Sequence, residues 1–400
     1  MNRTFVIVGA GLAGAAAAQE LRAKGFDGRV VLIGTEDDPP YERPPLSKEY
    51  LRGERDDPAF VRPREWYAEN DIDLRTGSTV TSVDASGPGV ELDGGERIDA
   101  AAVLLATGGS PRRLPGGPSD RVLYLRELGD ADRIKEALSG GRLVVIGAGF
   151  IGAEVAASAR SKGVEVTVLE MAPVPLARAL GEDVGAIYGR IHRDEGIDLR
   201  TEEGVETIEE TSGGVAVRTT KGDTVEAAAV VVGVGIAPNI GLAEGAGLAT
   251  SNGVDVDASC RTSASAVFAA GDIANHNHPL FGRIRVEHFD NALKMGTHVA
   301  RSMMGESEPF TDPHWFWSDQ YDVNLQYAGF ATKWDDVVVR GSLEDRNGTA
   351  FYLNEGVVLA ALGLNRGKDV RRAMKLISAR ARPDPASLAD DQVDLRTLVP

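Results

Sequence analysis

The string Val6-Ile7-Val8-Gly9-Ala10-Gly11-Leu12-Ala13-Gly14 recurs later in the chain as Val144-Val145-Ile146-Gly147-Ala148-Gly149-Phe150-Ile151-Gly152. In each copy a β-branched run meets Gly-x-Gly-x-x-Gly, opens an alanine-rich helical stretch (Ala15 to Lys24, Ala153 to Lys162) and leads to a second apolar strand. That is one βαβ unit, present twice. Gly9 and Gly147 permit the tight turn, Gly11 and Gly149 let backbone approach a pyrophosphate, and Gly14 and Gly152 let helix and strand pack closely. Ala13 and Ile151 share those first turns and are candidate nucleotide contacts. The anion rests on a helix N-terminus, where unpaired N–H groups and the dipole favour negative charge. Glu36 and Glu170 end the second strand of each unit, where a carboxylate accepts from ribose hydroxyls and repels the extra phosphate of NADP. Two dinucleotide sites follow, one of them set for NADH over NADPH.

Each unit closes with a further apolar run ending in glycine, Val103 to Gly109 and Val230 to Gly235, placing Ala106 and Gly235 at candidate site edges. A third closing segment, Phe268-Ala269-Ala270-Gly271-Asp272, makes the second unit an insertion into a discontinuous first domain. The domains expected are 1–109 with 235–308, 110–234, and a C-terminal α+β domain over 309–400 whose strands precede one basic helix near Arg366 to Ala379. The stretch from Pro383 is proline- and aspartate-rich and is expected to be a loosely held tail.

Composition limits the chemistry. A net charge of −17 lacks the positive footprint that nucleic acid requires. No apolar run approaches the roughly 18 residues of a membrane span, and the N-terminus runs from Met1 straight into a strand, so a cytoplasmic protein is expected. The single cysteine, Cys260, excludes an internal disulfide and a Cys-x-x-Cys pair, so a bound cofactor must carry any redox chemistry. The six histidines do not form a metal site; His276 and His278 are read as loop residues at the surface.

Further segments carry a family resemblance: Tyr41-Glu42-Arg43-Pro44-Pro45-Leu46-Ser47-Lys48, Ala106-Thr107-Gly108, Ala270-Gly271-Asp272, and Trp315-Phe316-Trp317-Ser318-Asp319-Gln320. Over essentially its whole length the chain resembles the putidaredoxin-reductase-like family of FAD-dependent, NADH-dependent ferredoxin reductases of bacterial oxygenase systems. The resemblance implies the fold of glutathione reductase without its active disulfide: two Rossmann-like dinucleotide-binding domains plus a C-terminal α+β domain. It implies FAD contacts at Glu36, Arg43, Lys48, Val80, Arg126, Asp272 and Phe289. It also implies that Lys48 and Glu154 are a pair beside the flavin N5, the ammonium stabilising added electron density and the carboxylate orienting the lysine and the nicotinamide. Trp317 is the family's candidate for shielding the ring from water. Phe289 departs from the smaller aliphatic of relatives, which favours a backbone contact there.

The activity so implied is hydride transfer from NADH to FAD, then single-electron delivery to a [2Fe-2S] ferredoxin serving a P450 or Rieske-type oxygenase. Lys368, Arg371, Arg372 and Lys375 fall at i, i+3, i+4 and i+7, a positive stripe that suits an acidic ferredoxin. A peroxide- or oxygen-consuming oxidase of this type needs a catalytic cysteine, which Tyr41 to Leu51 lacks. A rubredoxin or quinone reductase, and a redox-sensitive flavoprotein binding module, stay open as alternatives.

Overall fold

A computed structural model describes residues 3–400. The principal elements begin with β1 (Thr4–Val8), α1 (Leu12–Ala23), β2 (Arg29–Ile33), β3 (Ile72–Arg75) and β4 (Ala102–Leu105). Next come β5 (Val122–Tyr124), β6 (Leu143–Ile146), α2 (Phe150–Ser161), β7 (Val166–Glu170), α3 (Ala177–Asp194), β8 (Asp198–Thr201) and β9 (Ala229–Val232). β10 (Val267–Ala269), β11 (Ala274–His278) and α4 (Phe289–Met304) follow. The chain ends with β12 (Trp315–Gln320), β13 (Val323–Gly329), β14 (Asp336–Ser342), β15 (Asn347–Asn354), β16 (Val357–Leu364), α5 (Gly367–Ser378) and α6 (Pro385–Ala389).

These elements gather into two compact units. The first holds residues 3–42, Ala59–Ser110 and Ala237–Trp315. Its central sheet is parallel, in the order β10-β4-β1-β2-β3, with Val6 in register with Val31 and Val103. Strands covered on both faces must be apolar throughout, and β1, β2 and β4 bury their interior residues completely. The alanines of α1 have a packing reason too: a Cβ on Gly296 of α4 would lie 2.3 Å from the Ala13 carbonyl oxygen, so only small residues let these helices meet.

The second unit holds Arg43–Pro58, Pro111–Ile236 and Phe316–Pro400. It repeats the parallel arrangement as β8-β7-β6-β9-β5 and adds the sheet β12-β13-β16-β15-β14, whose pairs β13–β16, β16–β15 and β15–β14 are antiparallel. Leu180, Val184, Tyr188 and Ile191 of α3 share a core with Leu325, Tyr352 and Leu362 of that sheet. α3 kinks at Gly181 (φ +80°), where a Cβ would lie 2.8 Å from the Trp334 ring.

The C-terminal stretch corrects the expectation of a loose tail. Leu388 and Leu395 are fully buried, and the Arg340 guanidinium donates to the carbonyls of Leu388, Asp391 and Val393. Proline and aspartate there start short helices: Asp384 caps α6 by accepting from the Ser387 N–H at 3.0 Å. Among the described residues no helix is long and apolar enough to cross a membrane.

Candidate active site

In the first unit the three motif glycines occupy three different environments. Gly9 (φ +115°) could carry no side chain, since a Cβ would fall 2.2 Å from the Ala106 carbonyl oxygen. A Cβ on Gly14 would sit 2.0 Å from the Gly9 oxygen. At Gly11, by contrast, nothing lies within 4 Å. Gly11 is also the N-cap of α1 and offers no side chain to the first-turn N–H groups. Open space over unsatisfied donors at a helix N-terminus fits a pyrophosphate. Glu36 stands just past β2 and accepts a hydrogen bond from the Tyr41 hydroxyl. Val80 is buried, Asp272 lies in a short 3-10 turn whose carbonyl accepts from Arg285 at 3.0 Å, and Phe289 is the first residue of α4.

The second unit repeats this cradle. Gly147 (φ +93°) abuts the Gly233 oxygen, a Cβ on Gly152 would sit 2.0 Å from the Gly147 oxygen, and Gly149, the N-cap of α2, meets nothing closer than 4.0 Å. Ile151, in the first turn of α2 beside it, is exposed. Glu170 ends β7 with its carboxylate accepting from the Ala148 N–H at 2.6 Å and the Ala172 N–H at 2.8 Å, so it braces the glycine turn. Gly235 (φ +97°) follows β9 and its carbonyl accepts from the Arg112 N–H at 2.9 Å. Arg43 donates to the Arg126 carbonyl.

Between the second cradle and the Pro44–Ser47 turn lies a buried ion pair. Pro44 and Pro45 pre-set φ for the 3-10 turn, which ends at Lys48. The Ser158 hydroxyl of α2 donates to the Ser47 carbonyl at 2.7 Å and pins the turn to the helix. Lys48, 4% exposed, reaches Glu154, 3% exposed, with Nζ 2.6 Å from Oε2. The Ser47 hydroxyl donates to the same oxygen at 2.5 Å, and the Ser318 hydroxyl donates to Oε1 at 2.7 Å. A buried carboxylate is tolerable only when so paired and hydrogen-bonded.

Ser47, Ser318 and Gln320 were not singled out from the sequence. The available signal was the period of β12: in a strand alternate residues share a face, so Ser318 and Gln320 point inward together while Trp317, half-buried, takes the opposite side.

Two surface readings change. His276 and His278 lie on β11 and are buried with His314, ring centroids 5.4 Å apart for the first two and 5.0 Å for His278 and His314. Burial pushes His276 down to about 4 and His314 well below its ordinary value. The basic stripe is narrower than its spacing suggests: Lys368, Arg371 and Lys375 are exposed, whereas Arg372 turns toward the buried Asp369, 3.7 Å away. Cys260 is wholly buried in a turn (φ +66°), and burial raises its thiol pKa, so it supplies no thiolate.

Residues 3–296 match the pyridine nucleotide-disulphide oxidoreductase family, and residues 315–399 match the reductase C-terminal domain. The chain is 41% identical to the ferredoxin–NAD(+) reductase component of the anthranilate 1,2-dioxygenase system of Burkholderia cepacia, across 99% of both chains. It is 36% identical to putidaredoxin reductase of Pseudomonas putida, across 100% of this chain and 97% of that one. The reductase in the covalent putidaredoxin reductase–putidaredoxin complex superposes with a TM-score of 0.95 at 36% identity, covering 100% of this chain and 98% of that one.

Proposed function

The chain belongs to the pyridine nucleotide-disulphide oxidoreductase family, and from that we propose that it is an NADH-dependent, FAD-containing reductase of a [2Fe-2S] ferredoxin serving a P450 or Rieske-type oxygenase. The observation that carries this reading is the doubled cradle, open at Gly11 and Gly149 and sterically closed at the flanking glycines, in a chain with no reactive cysteine. Bound FAD supplies the centre that accepts a hydride and releases electrons singly.

The polypeptide holds and biases its ligands. Gly9, Gly11, Ala13 and Gly14, with Ala106, shape the first cradle for FAD, and Glu36 takes its ribose. Val80, Asp272 and the backbone at Phe289 line the rest of that site, with Arg43 and Arg126 as further FAD contacts. Gly147, Gly149, Ile151 and Gly152 hold NADH, with Gly235 at the rim. Glu170 discriminates against a 2′-phosphate by charge. Lys48 supplies a fixed positive charge for electron density gained by the flavin and Glu154 aims it, while Trp317, on the other side of β12 from Ser318, shields the flavin ring from water. The exposed Lys368, Arg371 and Lys375 form the surface on which an acidic ferredoxin docks. Dependence on NADH and on a soluble carrier accords with a cytoplasmic location.

Stopped-flow reduction by NADH, followed by mixing with a panel of purified [2Fe-2S] ferredoxins, tests the proposal. Rapid flavin bleaching and reoxidation by at least one ferredoxin are expected. Purified protein that is colourless and takes up no flavin would end the reading, and turnover with rubredoxin or quinone but no ferredoxin would replace it with that alternative.

A further inference from the structure

We infer that Ser318 is a positioning residue: its hydroxyl, oriented by Gln320, fixes the Glu154 carboxylate and through it the direction of the Lys48 ammonium. The inference deepens the proposed function and rests on its assignment of that pair.

The hydrogen bonds at Ser318 run in one direction. A serine hydroxyl has one proton and two acceptor sites. Gln320 Nε2 donates to Ser318 Oγ at 3.0 Å, so the single Ser318 proton is available for Glu154 Oε1, 2.7 Å away. Ser47 and Lys48 both occupy Oε2. Without Ser318 the buried Oε1 loses its hydroxyl donor, and the terminal carboxylate torsion, broad and roughly two-fold, is no longer pinned. The two oxygens could then exchange places under the ammonium, and Lys48 would sample several directions in place of one.

Ser318 and Gln320 lie on one strand face and are fully buried, so their geometry is set by the sheet and not by solvent. The chain Gln320–Ser318–Glu154–Lys48 is poorly suited to passing protons, because a primary amide neither gains nor loses one readily. Holding a charge pair still is what such a chain does well. The titratable groups facing Glu154 are Lys48 and Tyr188, whose phenol feels the carboxylate from α3, with Asp319 further along β12.

The test uses flavin-loaded protein. Ser318→Ala is expected to lower the limiting rate of flavin reduction by NADH about tenfold, in keeping with loss of one hydrogen bond to a charged group, while half-saturating NADH stays within about twofold. Ser318→Thr, which keeps the hydroxyl, is expected to recover the rate to within about twofold of the parent. The carboxylate infrared band assigned to Glu154, by difference against Glu154→Gln, should shift in Ser318→Ala and return in Ser318→Thr. In a Glu154→Gln background Ser318→Ala should add little, because the serine acts through that side chain. An unchanged rate and band in Ser318→Ala overturn the inference, as do equal losses in the alanine and threonine variants, loss of flavin from Ser318→Ala, or a full tenfold loss in the Glu154→Gln background. If Glu154→Gln alone reduces at the parent rate, the assignment of the pair falls and this inference with it; if Glu154→Gln is slow and Ser318→Ala is fast, only the inference falls.

Discussion

A methyl group at Gly11 and one at Gly14 would meet opposite fates, although the positions are three residues apart. At Gly14 it would overlap the Gly9 carbonyl, 2.0 Å away, and force α1 off β1. Gly14→Ala is therefore expected to lower stability by about 1–3 kcal/mol or more and to abolish flavin retention, read by denaturant titration and by the visible spectrum of purified protein. Gly11→Ala meets no atom within 4 Å, so the fold should keep its denaturation midpoint while FAD binds more weakly, the added carbon standing where phosphate must approach. Equal destabilisation in both variants would show that Gly11 too is a packing glycine. Glu170→Ala should narrow the preference for NADH over NADPH, measured as the ratio of kcat/KM values. It should also cost about 1–2 kcal/mol, because two backbone N–H groups lose their acceptor. An unchanged ratio would remove Glu170 from specificity.

At the scale of elements, α5 and the C-terminal stretch both meet the Arg340 guanidinium but differ in what the fold loses with them. α5 turns Val370, Ala373, Leu376 and Ile377 inward, leaving Lys368, Arg371 and Lys375 in solvent, where little stability rests on them. Reversing these three charges should slow ferredoxin reduction and flatten its salt dependence while NADH-to-ferricyanide turnover is kept; equal loss in both assays would rule out a docking stripe. Removing residues 383–400 should be far more damaging to the fold. Arg340, 3% exposed, would keep its charge but lose its Asp391 partner, 3.2 Å away, and the three carbonyls that accept from it, a loss of about 3–5 kcal/mol for a broken buried pair. Denaturant unfolding of the truncated chain measures this, and an unchanged midpoint would mean the stretch is dispensable.

For the molecule as a whole, acid is the expected weak point. His276 is held neutral in the fold with a pKa of about 4, against an ordinary value of 6.5, because burial disfavours its cation. A depressed histidine contributes stability that is complete above about pH 6.5 and is lost as pH falls toward 4, since the unfolded chain binds the proton first. His314, shifted the same way, adds to the slope, and each such site contributes up to about 1.4 kcal/mol per pH unit. Thermal midpoints measured from pH 7.5 down to 5 should fall through that window; a flat profile would show that these rings reach solvent.

The cradles, the strand-helix-strand repeat and the absence of a redox cysteine were all legible in the sequence, because each depends on residues within a few positions of one another. A glycine motif is a statement about local sterics, and Gly9 and Gly14 meet their limiting atoms just as its spacing implies. The surroundings of the ion pair were not legible. Ser47 is 107 residues from Glu154 and Ser318 is 164, and no periodicity couples positions so far apart. The same holds for the histidines, which look like loop residues one at a time and become a buried group only when β11 and the segment before β12 pack together. Local pattern determined what each segment can be. Long-range packing decided which polar groups lose water, and burial is what turns a serine, a histidine or an arginine into a residue the fold depends on.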